Sequence, residues 1–125
     1  GIRDDLVTGV QTCALPIFHK WALFERDPMP QWRKGKVTLL GDACHPMTPY
    51  MAQGAATAIE DAAVIARCLD GVDRADIETA LQRYEDNRKP RTSRIQQISR
   101  LNDLDKIKME TARVFSYDAW CEILS

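Results

Sequence analysis

The sequence predicts a mixed α/β or α+β fold, in one domain or part of one, and three observations support this. A short apolar run rich in β-branched residues, 36–40 (KVTLL), ends at Gly41 as a strand does. The alanine-rich segment 55–69 is followed by Gly71, which is typical of a helix and its stop signal. Farther along, apolar residues recur at helical spacing. At 125 residues the chain suits one domain with a core and is short for a two-domain enzyme.

Composition argues against several classes of protein. Seventeen basic and eighteen acidic residues give a net charge of -1, so no overall field favours nucleic acid or anionic lipid as a partner. No apolar run approaches the roughly 20 residues that a membrane helix needs. The four cysteines form no CxxC pair and only two histidines are present. We therefore expect reduced thiols, a cytoplasmic protein and no metal site.

The first 36 residues are expected to contain a leader, a strand and a loop. Residues 1–17 lack the features of a secretory signal, and their stretch VTGVQTCALPI resembles the conceptual translation of a sequencing adaptor, which predicts a non-native leader. Over residues 19–25 the order WALF favours a strand. Pro28, Pro30 and Gly35 predict a loop over 26–36.

The next two elements are a buried strand and a long helix. The run 36–40 should be a buried strand that leads to a site, and the prolines after it predict an extended loop to about Gln53. The helix over 55–69 has apolar residues at helical spacing on one side. These are Ile59, Ala62, Ala63, Ala66 and Leu69.

Further helices are predicted after Asp73, which can cap the first of them. In that helix Ile77, Ala80, Leu81 and Tyr84 repeat at helical spacing, and the pattern runs to residue 89. Pro90 either interrupts the helix or starts another, and an amphipathic helix is expected over 92–111. The tail, 114–125, contains three aromatic residues and should pack against other parts of the protein.

The end of the strand and the start of the first helix have chemistry that suits a ligand with a polyol chain. Asp42 can accept hydrogen bonds from sugar or polyol hydroxyls, and Gly41 lets the ligand approach the backbone closely. A helix that begins near Gly54 presents unpaired amides, which favour negative charge, and leaves room for a flat ring. A Gly-Asp pair alone more often marks a surface turn, so the interpretation depends on the whole string 37–61.

That string, within VTLLGDACHPMTPYMAQGAATAIEDA, resembles the second FAD signature of single-component, FAD-dependent aromatic-ring hydroxylases, the salicylate hydroxylase and 6-hydroxynicotinate 3-monooxygenase group. The likeness covers about residues 21–94. It implies the carboxyl-terminal part of a Rossmann-like FAD-binding domain, followed by carboxyl-terminal helices. The segments would be the end of a substrate-domain sheet and linker (18–36), an FAD-binding segment (37–72), and helices with a tail (73–125).

The resemblance also implies a cofactor site. In this family the aspartate of the Gly-Asp pair binds the ribitol of FAD, and the proline and helix start lie beside the flavin ring. The corresponding FAD-binding residues are Gly41, Asp42, Pro49, Gln53, Gly54 and Ala55. His19 and Tyr50 are candidates for facing the substrate, and no catalytic residue is assigned.

The implied activity is that of a flavoprotein monooxygenase in aromatic compound catabolism. Such enzymes use FAD, NADH or NADPH, and O2 to hydroxylate a small aromatic or pyridine carboxylate, with loss of CO2 in the 6-hydroxynicotinate branch. Amides near Gly54 would stabilise negative charge on the reduced flavin. The GxGxxG fingerprint and the middle DG motif of the family are missing. We therefore expect the chain alone to hold FAD weakly and to be inactive.

Several polar residues have more than one interpretation. His45 is a catalytic base or a structural loop residue, and Cys44 is interpreted as a small core residue. Glu60 and Asp61 suit the first turns of a helix whatever the function. The basic residues around Pro90 favour a solvated helix face over a site for the phosphates of a nicotinamide cofactor; they are Arg83, Arg88, Lys89, Arg91 and Arg94.

The rival hypothesis for the whole chain is a non-enzymatic α-helical interaction module, formed by the helices after Asp73. Quenching of FAD fluorescence that is lost on Asp42→Ala would favour the flavin enzyme. Dimerisation that depends on concentration, without any response to FAD, would favour the module.

Overall fold

A computed structural model describes residues 24–100 and 112–125. Two short strands, β1 (Arg33–Lys34) and β2 (Val37–Thr38), are followed by two 3₁₀ turns, Gly41–Ala43 and Pro49–Met51. Two long helices follow, α1 (Gly54–Leu69) and α2 (Ile77–Arg100), and residues 112–115 are again helical. The predicted mixed fold is therefore confirmed. Among the described helices, none combines the length and apolarity needed to cross a bilayer.

The strands form a small antiparallel hairpin in which Arg33 lies opposite Thr38. The turn between them begins at Gly35, whose φ of 56° is easily reached by glycine. The predicted loop over 26–36 thus contains a strand. The prediction of a buried strand over 36–40 is wrong, because β2 is two residues long and Val37 is 68% exposed. In the described part of the chain β2 pairs with β1 alone, so little covers its side chains. The strand predicted over 19–25 lies mostly outside the described residues, and Phe24 and Glu25 are not in a strand.

Helix α1 has nearly the predicted bounds, but the predicted apolar side is wrong. Ile59 is 71% exposed, and Ala62, Ala66 and Leu69 are exposed as well. The buried positions are Thr57, Asp61, Val64 and Cys68, which also recur at helical spacing. Polar groups that find hydrogen bonds can occupy a buried face, and apolar periodicity does not reveal them.

Helix α2 merges the two helices that were predicted on either side of Pro90. Ala80, Leu81 and Tyr84 are buried as predicted. Pro90 lies inside the helix at an exposed position. Proline has no backbone N–H, and the carbonyl that would have accepted from it can bond to water instead. The amphipathic helix predicted over 92–111 is the second half of α2 as far as Arg100, and the rest of that prediction lies outside the described residues. Asp73 is not the cap, since α2 begins at Ile77.

The core consists of two clusters, and each lies beneath one of the 3₁₀ turns. The first contains Trp32, Cys44, Val64, Cys68 and Tyr84. The second contains Met51, Ile95, Ile98 and Val114. Cys44, just after the first turn, and Met51, within the second, insert their side chains into these clusters. Both turns are therefore attached to the packed helices.

The tail, residues 112–125, is attached to the helices by its main-chain oxygens and by Val114, Ala119 and Leu124, which pack in or against the core clusters. Arg67 donates to the carbonyl oxygens of Ala119 and Glu122, each at 2.8 Å. Arg83 donates in the same way to the last two residues of the chain, at 2.9 Å each. Among the three aromatic residues, Tyr117 packs on α2, with its ring centroid 3.9 Å from the guanidinium carbon of Arg91. Phe115 and Trp120 are exposed.

Candidate functional site

Asp42 and the start of α1 are neighbours at the surface. A Cβ atom built on Gly54 would lie 3.9 Å from Oδ1 of Asp42 and 3.9 Å from Cγ of Met47. Asp42 is exposed. The structure thus places the Asp42 carboxylate next to the first residue of α1, a glycine, and leaves both accessible to a ligand.

The start of α1 has no side-chain cap. The first backbone bond of the helix runs from the amide of Thr57 to the oxygen of Gln53, at 2.9 Å. Gln53, at the N-cap position, makes no side-chain bond to the helix amides. Thr57 strengthens this turn, since its hydroxyl donates to the oxygens of Gln53 and Gly54 at 2.8 and 2.9 Å. The amides of residues 54–56 and the positive end of the helix dipole therefore favour an electron-rich group beside Asp42.

The remaining predicted site residues lie along the chain between these two points or next to them. Pro49 and Tyr50 are exposed on the second 3₁₀ turn. Gln53 is buried, so its side chain faces the protein, whereas Ala55 is exposed on α1. His19 lies outside the described residues. A ligand at this surface could therefore contact the side chains of Pro49, Tyr50 and Ala55 and the backbone of residues 53–55.

Gly41 fits tightly between its own turn and α1. Its φ is 60°, and an added Cβ would lie 3.1 Å from the Cβ of Ala58. Its carbonyl oxygen accepts hydrogen bonds from the amides of Cys44 and His45, at 2.9 and 3.0 Å. A side chain at this position would be strained by the backbone and crowded by the helix.

Directly beneath the turn, the buried carboxylate of Asp61 accepts three hydrogen bonds. Its Oδ2 accepts from the Gly41 amide at 3.1 Å and from Nε2 of His45 at 2.6 Å. Its Oδ1 accepts from Nε of Arg88 at 2.7 Å. Asp61, His45 and Arg88 are all buried, and we call these three side chains the Asp61 cluster. Arg88 also binds Glu60, with 2.7 Å between Nη2 and Oε2.

The sequence did not reveal the Asp61 cluster. The prediction of a solvated face is wrong for Arg88, which is fully buried. Asp61 follows Thr57 by four residues and precedes Val64 by three, so it shares their buried face of α1. Arg88 likewise follows Tyr84 by four residues on α2. An acidic residue in register with the buried face of one helix and a basic residue in register with that of the next could have predicted the Asp61–Arg88 pair.

The neighbours of Asp61 control its pKa. Burial alone would raise the pKa, but hydrogen bonds from His45 and Arg88 and the charge of Arg88 outweigh burial and hold the pKa below its usual range. Burial similarly opposes the charge of Arg88, whose pKa is nevertheless raised by Asp61 and Glu60. The buried pair is therefore ionised at neutral pH.

Because the folded-state pKa of Asp61 is depressed, this ion pair should make the protein sensitive to acid. Its contribution to stability is complete above the ordinary carboxyl pKa of 3.8 and is lost as the pH falls through the lower folded value. We expect the free energy of unfolding, from urea titrations between about pH 6 and pH 2, to fall steeply below the ordinary pKa. Asp61→Asn should reduce the steepness of that fall, and identical pH profiles for the two proteins would contradict the assignment.

Cys44 belongs to the core, as predicted. Burial, reinforced by the charge of Asp61, raises its pKa to about 12, so the thiol stays protonated. Ligand atoms of Cys44, His45 and Asp61 lie within 4.8 Å of one another, a spacing that a metal ion could use. Here, however, the thiol donates to the Gly41 oxygen at 3.2 Å and both carboxylate oxygens accept from other donors. Hydrogen bonding accounts for the arrangement.

Comparison with known proteins gives matches over most of the chain. Residues 17–99 match the family described as FAD binding domain. The chain is 48% identical over 111 residues to 6-hydroxynicotinate 3-monooxygenase of Bordetella bronchiseptica, covering 89% of this chain and 29% of that protein. It is 50% identical over 101 residues to the protein of the same name from Pseudomonas fluorescens, covering 81% and 26%. With 3-hydroxybenzoate 6-hydroxylase 1 of Aquipseudomonas alcaligenes it shares 52% identity over 81 residues, covering 65% and 20%.

The chain is also similar in structure to a solved protein. The crystal structure of FqzB superimposes with a TM-score of 0.62 at 32% identity, over 74% of this chain and 24% of that one. The chain therefore spans less than a third of the length of the curated relatives and the structure that it matches.

Proposed function

Because the chain belongs to the FAD binding domain family, we propose that it forms the flavin-holding carboxyl-terminal part of an FAD-dependent aromatic monooxygenase. The observation that carries the proposal is the position of the Asp42 carboxylate, 3.9 Å from where a Cβ of Gly54 would be. The uncapped start of α1 lies at the same place. The carboxylate can accept hydrogen bonds from the hydroxyls of the flavin's polyol chain, and the helix amides can donate to its electron-rich ring.

In this proposal each residue of the site binds or orients FAD. Asp42 accepts hydrogen bonds from the ribitol hydroxyls, and Gly41 lets the chain turn at a φ that glycine tolerates. Gly54 and Ala55 present amides to the electron-rich edge of the ring, while Pro49 and the backbone of Gln53 border it. When bound, FAD would supply the redox chemistry, taking electrons from NADH or NADPH and using O2 to hydroxylate an aromatic ring.

The substrate that we propose is a small hydroxylated aromatic or pyridine carboxylate. Two relatives are named for 6-hydroxynicotinate and a third for 3-hydroxybenzoate, and all three names denote a ring with a hydroxyl and a carboxylate. Tyr50 is exposed on the turn that follows Pro49, so its phenol is available to a ligand beside the flavin. His19 is proposed as the second residue that faces the substrate. The free thiols of Cys44, Cys68 and Cys121 suit the reducing cytoplasm.

Titration of FAD fluorescence with the protein tests the proposal. We expect weak quenching by the 125-residue chain and a loss of about tenfold or more in affinity for Asp42→Ala, since hydrogen bonds to a charged acceptor are removed. Asp70→Ala, which removes an exposed carboxylate just beyond the other end of α1, is the matched control and should bind FAD as the unaltered chain does.

Three other results would contradict the proposal or parts of it. Equal binding by the Asp42→Ala and Asp70→Ala variants would remove Asp42 from the site. Purification of the chain as a yellow protein with full FAD occupancy would contradict the expectation of weak binding. Dimerisation without any FAD response would favour the helical interaction module instead.

A further inference from the structure

The first 3₁₀ turn carries Asp42, yet the contacts that hold the turn are made by its neighbours. Within the described residues, the Asp42 carboxylate has no hydrogen-bond partner. The Gly41 amide, one residue before it, donates to Oδ2 of Asp61 at 3.1 Å. Nε2 of His45, three residues after it, binds the same oxygen at 2.6 Å. Both ends of the segment 41–45 are thus attached to one buried carboxylate atom.

That carboxylate is itself fixed by a third element. Arg88, on α2, donates to the other oxygen of Asp61 at 2.7 Å and is held in turn by Glu60. Since both oxygens are occupied and the side chain is fully buried, Asp61 has little freedom to rotate. The position of the turn relative to α1 is therefore defined by the Asp61 cluster.

We infer that Asp61 is a positioning residue for flavin binding: through the Gly41 amide and His45 it holds Asp42 beside the start of α1. This inference rests on the proposed function. Asp61 itself touches no ligand, because it is buried below the turn. It acts by keeping the Asp42 carboxylate and the amides at Gly54 in the mutual position that one ligand can engage.

The direct test is a double-mutant cycle measured by FAD titration. Asparagine offers one acceptor atom in place of two, so Asp61→Asn loses at least one of the three bonds. We expect its FAD dissociation constant to rise about tenfold. Because Asp61 acts through Asp42, adding Asp61→Asn to Asp42→Ala should weaken binding no further. A residue that only stabilises the fold would give additive losses.

Two more variants separate positioning from loss of folding. Leu81→Ala creates a cavity on the buried face of α2, outside the two core clusters that hold the turns, and should leave FAD affinity within about twofold of the unaltered chain. The paired change Asp61→Leu with Arg88→Met removes both buried charges together, a replacement that proteins often tolerate. It should remain folded and still lose about tenfold in FAD affinity.

Hydrogen exchange provides a measurement that does not depend on FAD. In the unliganded protein, amides of residues 41–45 should exchange faster in Asp61→Asn than in Leu81→Ala, relative to the rest of the chain. Folded Asp61 variants that bind FAD normally, or losses additive with Asp42→Ala, would overturn the inference and leave the proposed function intact. Absence of any Asp42-dependent FAD response in the unaltered chain would instead overturn the proposed function, and this inference with it.

Discussion

Arg88→Met is expected to destabilise the protein by about 3–5 kcal/mol. Methionine fills much of the space of the arginine stem but leaves the Asp61 carboxylate buried without its cation. The urea midpoint at neutral pH measures the loss. The same substitution at Arg83, an exposed residue of the same helix whose guanidinium binds carbonyl oxygens of the tail, should cost about 1 kcal/mol or less.

The comparison of the two arginines isolates the buried charge, since both variants remove a guanidinium from α2. Equal losses would mean that Arg88 contributes only packing. Addition of Asp61→Leu to Arg88→Met should restore much of the stability, because no unpaired charge is then left in the core.

Gly41→Ala should destabilise the protein by about 2–4 kcal/mol, more than Gly35→Ala. Both glycines have a φ near 60°, so both variants incur the left-handed strain of about 1–2 kcal/mol. Only at Gly41 does the new Cβ meet another atom, the Cβ of Ala58 at 3.1 Å; at Gly35 nothing lies within 4 Å. Crowding of this kind adds about 1–3 kcal/mol.

Urea unfolding of the two glycine variants measures that difference directly. Under the proposed function, Gly41→Ala should also weaken FAD binding while Gly35→Ala should not, since only the first shifts the turn that carries Asp42. Identical stabilities would indicate that α1 moves aside at no cost.

Features encoded by neighbouring residues could be predicted from the sequence. The bounds of α1 follow from its alanine content and from Gly71, which lies with a φ of 67° in the turn just after the extended residue Asp70. The apolar repeat of Ala80, Leu81 and Tyr84 correctly gave the inner face of α2. The FAD signature at 37–61 also gave the family, which the match over residues 17–99 confirms.

Features that depend on distant partners could not be predicted in this way. Asp61 and Arg88 are 27 residues apart, and each alone is typical of a solvated helix surface. Ile59 fitted an apolar stripe but lies on the outer face, because hydrogen bonds let Thr57 and Asp61 take the inner one. The assigned FAD residues remain predictions, although the proximity of Asp42 and Gly54 supports them.

The attachment of the tail has a consequence for how its sequence can vary. Arg67 and Arg83 donate hydrogen bonds to four main-chain oxygens, and every amino acid has such an oxygen. The exposed side chain at 122 can therefore vary while its main-chain oxygen still binds Arg67, whereas Ala119 and Leu124 also pack against the first core cluster. Part of the constraint falls on the two arginines, because replacing them would remove these four hydrogen bonds whatever the sequence of the tail.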